Sequence, residues 1–296
     1  MDTENHVEGE LSSLLRQILH ELRAIRQLLE RQSPDQTKHA VIAQLQQLVY
    51  TPQKAETYLE RYLTTRQLHI VEATQLAPEN PVMRKRMHLA YFMGQNYSVV
   101  QDLLQQLRAT LQRPNKVQLN LSGHGENAIS IITNVCSRLY HLYMLQYYKY
   151  TRNPRSICCK VRRQPFVHNY LSGGWFELYV AQEAQKLLGN RLLWAKRNVK
   201  LQAQGGAVCE ADLLMVVQSK QGELLPVVLE CKSANALYDN EPRQMQRLNS
   251  LLNLGMRCSA VVFPERPSPA FAEQWFTETG SQIIGREQLP QFLSEL

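Results

Sequence analysis

The sequence predicts an α + α/β protein, in which a helical N-terminal region precedes a C-terminal α/β domain. Apolar residues recur at helical spacing as far as about Asn115. After Gly173-Gly174 the period alternates between helical and strand-like stretches. Two apolar segments in this second half, Leu213–Val217 and Leu224–Leu229, adjoin charged residues. The expected division is an amphipathic helix over 1–36, a helical domain over 37–165 that ends in a basic β-hairpin, and an α/β domain over 166–296.

In order, Leu11, Leu15, Ile18, Leu22, Ile25 and Leu29 are spaced alternately by four and three, the seam of a short coiled coil. Ser33-Pro34-Asp35 ends it. Leu14 and Leu28 widen the stripe, so the helix either pairs with a second copy, giving a homodimer, or lies on the protein's own body. Helical spacing continues through Ala40–Val49, Ala55–Leu63, Val82–Phe92 and Val99–Leu111. Thr51-Pro52 and Asn80-Pro81 read as helix starts, with proline at the first helical position. A helix over Glu126–His141 leads to two β-rich stretches around Thr151-Arg152-Asn153-Pro154. They read as a hairpin, and helices followed by a hairpin suggest a winged-helix-like layout.

Beyond Gly174 an amphipathic helix spans Trp175–Leu188. Strands follow over Leu192–Leu201, Ala207–Gln218 and Leu224–Ser233. The remainder reads as a helix over Pro242–Leu254, a strand over Cys258–Phe263, a helix over Pro269–Thr277, a short strand over Gln282–Ile284 and a last helix from Glu287.

Composition bounds the function. A chain of 296 residues can bury one large or two medium cores. Its longest apolar runs fall far short of the ~20 residues that a membrane helix requires. The opening Met-Asp-Thr-Glu lacks a basic stretch before an apolar core, so the expected location is the cytoplasm. Six cysteines form no CxxC pair and no zinc-ribbon spacing. The net charge of +7 is concentrated. Residues 127–176 hold seven basic side chains and no acidic one, whereas the flanking segments are nearly balanced.

The strongest chemical signal is Val-Cys-Glu-Ala-Asp-Leu-Leu-Met-Val-Val (208–217) followed by Leu-Pro-Val-Val-Leu-Glu-Cys-Lys-Ser (225–233). Side chains alternate along a strand, so Glu230 and Lys232 share one face and Cys231 takes the other. Lys220-Gln221-Gly222 suits a three-residue hairpin whose glycine is left-handed. With Gln221 at its centre, Asp212 and Glu230 are each nine positions away and stand opposite one another. Such a pair lies roughly 5 Å apart at Cβ, with an ammonium beside it. Buried like charges at that distance call for a cation, and oxygen ligands favour a hard one, Mg²⁺ or Mn²⁺. Asp212 and Glu230, helped by the Cys231 carbonyl, are the expected metal ligands. Glu177, on the preceding helix, is a further metal or water ligand, and Lys232 would orient a water and stabilise negative charge on phosphate. The plain alternative is a surface salt-bridge ladder on an edge hairpin.

These residues resemble the PD-(D/E)XK nuclease superfamily, in particular the nuclease domain of CRISPR-associated effectors activated by cyclic oligoadenylate. Leu171-Ser172-Gly173-Gly174-Trp175-Phe176-Glu177 is similar to that family's entry helix, Glu210-Ala211-Asp212 to its Glu-Leu-Asp strand, and Glu230-Cys231-Lys232 to its Glu-Cys-Lys element. The resemblance covers about residues 166–296 and does not extend to those effectors' sensor domain. Ala211 stands where the superfamily name has proline. The resemblance implies a restriction-endonuclease-like fold and phosphodiester hydrolysis by Glu177, Asp212, Glu230 and Lys232.

The basic segment supplies the expected nucleic-acid contacts: Lys149, Arg152, Arg155, Lys160, Arg162 and Arg163, interleaved with tyrosines such as Tyr143, Tyr147 and Tyr150. Cations neutralise phosphates and aromatic faces stack on unpaired bases. The expected partner is nucleic acid, DNA in preference to RNA. A non-catalytic nucleic-acid-binding or regulatory protein on the same scaffold is the competing expectation.

Overall fold

The computed structural model describes residues 51–76, 80–113, 115–206, 208–233, 241–255 and 257–296, together with Arg23. The coiled-coil seam over Leu11–Leu29, the self-association it would support and the helix expected over Ala40–Val49 therefore lie outside the described residues.

The first described helix, α1 (Pro52–Thr64), begins as its sequence requires: Thr51 accepts a hydrogen bond from the Lys54 amide at 3.3 Å. Asn80 caps α2 (Pro81–Gln95) in the same way, accepting from the Val82 amide at 2.8 Å. Between them the expectation of a wholly helical region fails. Leu68–Gln75 is a strand, β1. After α3 (Tyr97–Gln112) comes a second unexpected strand, β2 (Val117–Asn120), and then α4 (Glu126–His141). The hairpin is β3 (Leu145–Arg152) with β4 (Arg155–Val161). It pairs with β2 into a three-stranded sheet, order β2-β4-β3.

A short helix, α5 (Pro165–Asn169), runs through a π-helical turn at Tyr170–Gly174 into α6 (Trp175–Leu188). Gly174 lets that turn form, because a Cβ there would sit 2.9 Å from the Asn169 carbonyl oxygen. Then follow β5 (Leu192–Ala203), β6 (Val208–Gln218), β7 (Leu224–Cys231), α7 (Glu241–Leu252), β8 (Ser259–Phe263), α8 (Pro269–Thr279), β9 (Gln282–Gly285) and α9 (Leu289–Ser294). Six strands form the main sheet in the order β1-β5-β6-β7-β8-β9. Pairing is antiparallel from β1 to β7 and parallel from β7 to β9.

Alternation along β6 and β7 sorts apolar side chains onto two faces. Leu214, Val216 and Val228 meet Leu59 of α1, Leu248 of α7 and Trp275 of α8. Leu213, Met215, Val227 and Leu229 meet Phe176 and Val180 of α6. Each such buried side chain contributes about 1.5–3 kcal/mol. The second of these cores continues without a break into Leu89 of α2, Leu103 of α3, Ile132 of α4 and Ile157 of β4. A boundary drawn at residue 165 therefore cuts through one core, and β1, from before that boundary, hydrogen-bonds to β5, from after it.

Candidate active site

The hairpin between β6 and β7 sets the site. Ser219 donates its amide to Glu223 O at 2.8 Å, and Gly222 donates to Ser219 O at 3.0 Å. Gly222 has φ +86°, the left-handed conformation that closes a three-residue loop and favours glycine. From that loop the register runs unbroken from Gln218↔Leu224 to Leu213↔Leu229.

The next pair along is Asp212 and Glu230. Here side chains take over from the backbone ladder: Asp212 Oδ2 accepts from the Cys231 amide at 2.7 Å, and Glu230 Oε1 accepts from the Asp212 amide at 3.2 Å. The two carboxyl groups also interact directly. Burial, then the neighbouring Asp212 charge, pushes the Glu230 carboxyl well above the usual carboxylate range, and burial raises Asp212 as well. Two buried carboxylates this close do not both stay ionised unless a cation joins them.

Lys232 lies 4.0 Å from Glu230 Oε2 and 2.9 Å from Glu241 Oε1 at the start of α7. Burial works against its ammonium, but Glu230, Glu241 and Asp212 outweigh that and raise its pKa. The Lys232 amide donates to Val262 O at 2.9 Å, so parallel pairing with β8 fixes the end of this strand. Glu177 approaches from α6. Burial and the Asp212 charge raise it to about 7, and the Arg197 guanidinium opposes that rise. The Cys231 side chain points to the opposite face, in the core shared with α6.

Several site residues escaped sequence reasoning. Arg197 is 4% exposed on β5 and supplies a buried positive charge beside Glu177. Glu241 holds Lys232, and with Glu210, Glu230 and Lys232 it lines a small cleft of about 40 Å³. Arg108 of α3 bonds to Ser172 O and to Ser233 Oγ, while Ser233 Oγ donates to Ser172 O at 2.7 Å. No motif marks these three, because only the tertiary fold brings them to the strand ends.

The donor chemistry fits a hard divalent cation, since two partly buried carboxyl groups with raised proton affinity offer oxygen atoms whose negative charge a cation would compensate. Among the described residues, however, no three His, Cys, Asp or Glu side chains converge as a ready ligand cluster. The prearranged part is the Asp212–Glu230 pair, with Glu177 close enough to feel the Asp212 charge.

The six cations of the basic segment divide. Lys149 is exposed on the outer face of the three-stranded sheet. Arg152 and Arg155 flank the β3–β4 turn, and Arg155 pairs with Glu126 at 2.5 Å. Lys160, Arg162 and Arg163 line a groove between β4, α5 and the C-terminal end of α3.

No protein-family model matches the sequence, and no curated protein does. Solved structures do match. VC1899 from Vibrio cholerae is 18% identical, with a TM-score of 0.48 over 79% of this chain and 58% of that one. Can2 from Sulfobacillus thermosulfidooxidans, solved in complex with cyclic tetra-adenylate, is 13% identical, with a TM-score of 0.51 over 79% of this chain and 58% of that one. The fold is Can2-like. The chain spans 58% of the length of each of these structures. Among the described residues no helix is long and apolar enough to cross a membrane.

Proposed function

We propose that this chain is a Mg²⁺- or Mn²⁺-dependent nuclease of the PD-(D/E)XK type with a restriction-endonuclease-like catalytic core, hydrolysing phosphodiester bonds of DNA in preference to RNA in the cytoplasm. The observation that carries the proposal is the Asp212–Glu230 pair, partly buried at the end of a hairpin with Lys232 two positions along. The likeness to Can2 agrees with the family resemblance of the Glu177 helix and the two strands.

Asp212 and Glu230 would hold the ion with the Cys231 carbonyl, and Glu177 would complete the set or hold a water. When bound, the ion supplies Lewis-acid polarisation of the phosphate and a more acidic water. Lys232 places a positive charge where the phosphate becomes more negative, and its Glu241 partner fixes the direction of that charge. Without the ion Glu177 is raised to about 7, and a bound ion would favour its carboxylate form. The cations of the basic segment hold the substrate.

The test is incubation of the purified chain with single- and double-stranded DNA and RNA, with Mg²⁺, Mn²⁺ or EDTA. Cleavage is expected with either metal, with at least a hundredfold loss in Asp212→Asn and in Lys232→Ala. Wild-type protein that binds these nucleic acids but cuts none, with either metal and with cyclic tetra-adenylate added, sinks the proposal. That outcome would favour a non-catalytic binding protein, a second reading supported by the absence of a ready three-ligand cluster among the described residues.

A further inference from the structure

A groove of about 820 Å³ runs between the end of α3 and the β4–α5 segment. Lys160, Arg162, Arg163 and His168 line it with uncharged polar groups such as Thr110 and Gln146, and no Asp or Glu does. Among the described residues no carboxylate pairs with Lys160, Arg162 or Arg163, unlike Arg155. A concave surface with clustered cations and no acid suits a chain of phosphates.

Its rim carries exposed aromatic rings. Tyr147 is 41% exposed and stands opposite Lys160 in the β3–β4 ladder, so both side chains share one face. Tyr143 is 70% exposed, and the Arg162 guanidinium lies 5.9 Å from its ring centre while donating from Nε to Leu145 O at 3.2 Å. Tyr143 follows the last turn of α4 with φ +58°. There Tyr143 donates its amide to Tyr140 O and Met144 donates to Leu139 O, a helix-terminating arrangement that normally selects glycine. A tyrosine held in a left-handed backbone and turned to solvent is costly for the fold and gains nothing from burial.

We infer that this groove binds the phosphate backbone of an unpaired nucleic-acid strand, with Tyr143 as a platform on which a base stacks. Arg162, fixed between the Leu145 carbonyl and the Tyr143 ring, places a cation beside that base; Lys160 and Arg163 continue the line of charge. A duplex buries its base faces and cannot use the ring, so the groove selects single strands. The same helix α3 reaches the acidic site through Arg108, whose guanidinium bonds to Ser172 O and to Ser233, the residue after Lys232. The groove-lining end of α3 and Arg108, which reaches the segment after Lys232, thus belong to one helix. This inference rests on the proposed nuclease reading for what the strand is delivered to, though not for its binding.

Fluorescence anisotropy with a labelled 12-nucleotide deoxythymidylate strand and a blunt duplex of equal length, using the full chain in EDTA at several salt concentrations, tests the inference. The strand should bind at least tenfold more tightly than the duplex. Arg163→Glu should weaken strand binding at least tenfold and flatten its salt dependence. Tyr143→Gly should weaken it five- to tenfold while the melting temperature stays level or rises, a combination that a merely structural tyrosine would not give. Equal affinity for strand and duplex, or unchanged strand affinity in both variants, overturns the inference. Asp212→Asn should bind the strand as wild type does. Tight strand binding without cleavage, with either metal and with cyclic tetra-adenylate added, would sink the nuclease proposal and leave the groove standing; cleavage with equal strand and duplex affinity would do the reverse.

Discussion

Glu177 shows what burial does to a single carboxyl. Its pKa rises to about 7 in the folded protein, mainly through loss of hydration and then through the Asp212 charge. A raised carboxyl favours the folded state most where it is protonated. Its contribution is therefore complete below the unfolded value near 4.5 and is lost as pH rises through about 7. Asp212 and Glu230 are shifted in the same direction. In EDTA, denaturant unfolding at pH 5 and pH 8 should show lower stability at the higher pH, with up to about 3 kcal/mol due to Glu177 alone. Glu177→Gln should flatten that slope. A stability that rises from pH 5 to pH 8 in EDTA would contradict the assignment of these groups as buried and poorly compensated. Added Mn²⁺ should restore stability at pH 8, because a ligand that binds only the folded form stabilises it.

Among elements, the β6–β7 hairpin was the most legible and β1 the least. Lys220-Gln221-Gly222 named both the turn type and its centre, and counting nine residues each way placed Asp212 against Glu230. Gly222 carries that geometry through its φ of +86°. Gly222→Ala should cost about 1–2 kcal/mol, read as a lower denaturation midpoint with an unchanged slope. By contrast, the burial of β1 follows no clean two-residue alternation, and its pairing with β5 has two register shifts. An edge strand so irregular leaves little periodic signal. The four-residue β2 is too short to leave one. The Glu-Cys-Lys element could be read directly, whereas Arg197, Glu241 and Arg108 reach the site from distant elements and left no local pattern.

At the scale of the whole molecule, the halves read as separate domains share their interior. β1 pairs with β5, α2 packs closely on α6, and one apolar core runs from Leu89 to Phe292. Gly94 marks how close α2 and α6 approach, since a Cβ there would meet the Tyr179 ring at 2.1 Å. Residues 166–296 expressed alone should therefore fail to give a cooperative unfolding transition, and co-expression with 1–165 should recover it. An independent, cooperative 166–296 fragment would show that the shared core is dispensable. The helices before residue 165 are in this sense part of the scaffold beneath the acidic site, whatever else they bind.

The hairpin loop also constrains how relatives of this protein can vary. Lys220-Gln221-Gly222 is a surface turn, some ~30 Å of strand from the carboxylates, where substitutions are ordinarily harmless. Yet one residue gained or lost there slides β6 against β7 and uncouples Asp212 from Glu230. Drift in amino-acid identity is open to Lys220 and Gln221, while the left-handed Gly222 and the length of the loop are held, so a glycine at its third position and a fixed count of residues between the two acids are the trace this geometry leaves in descendant sequences.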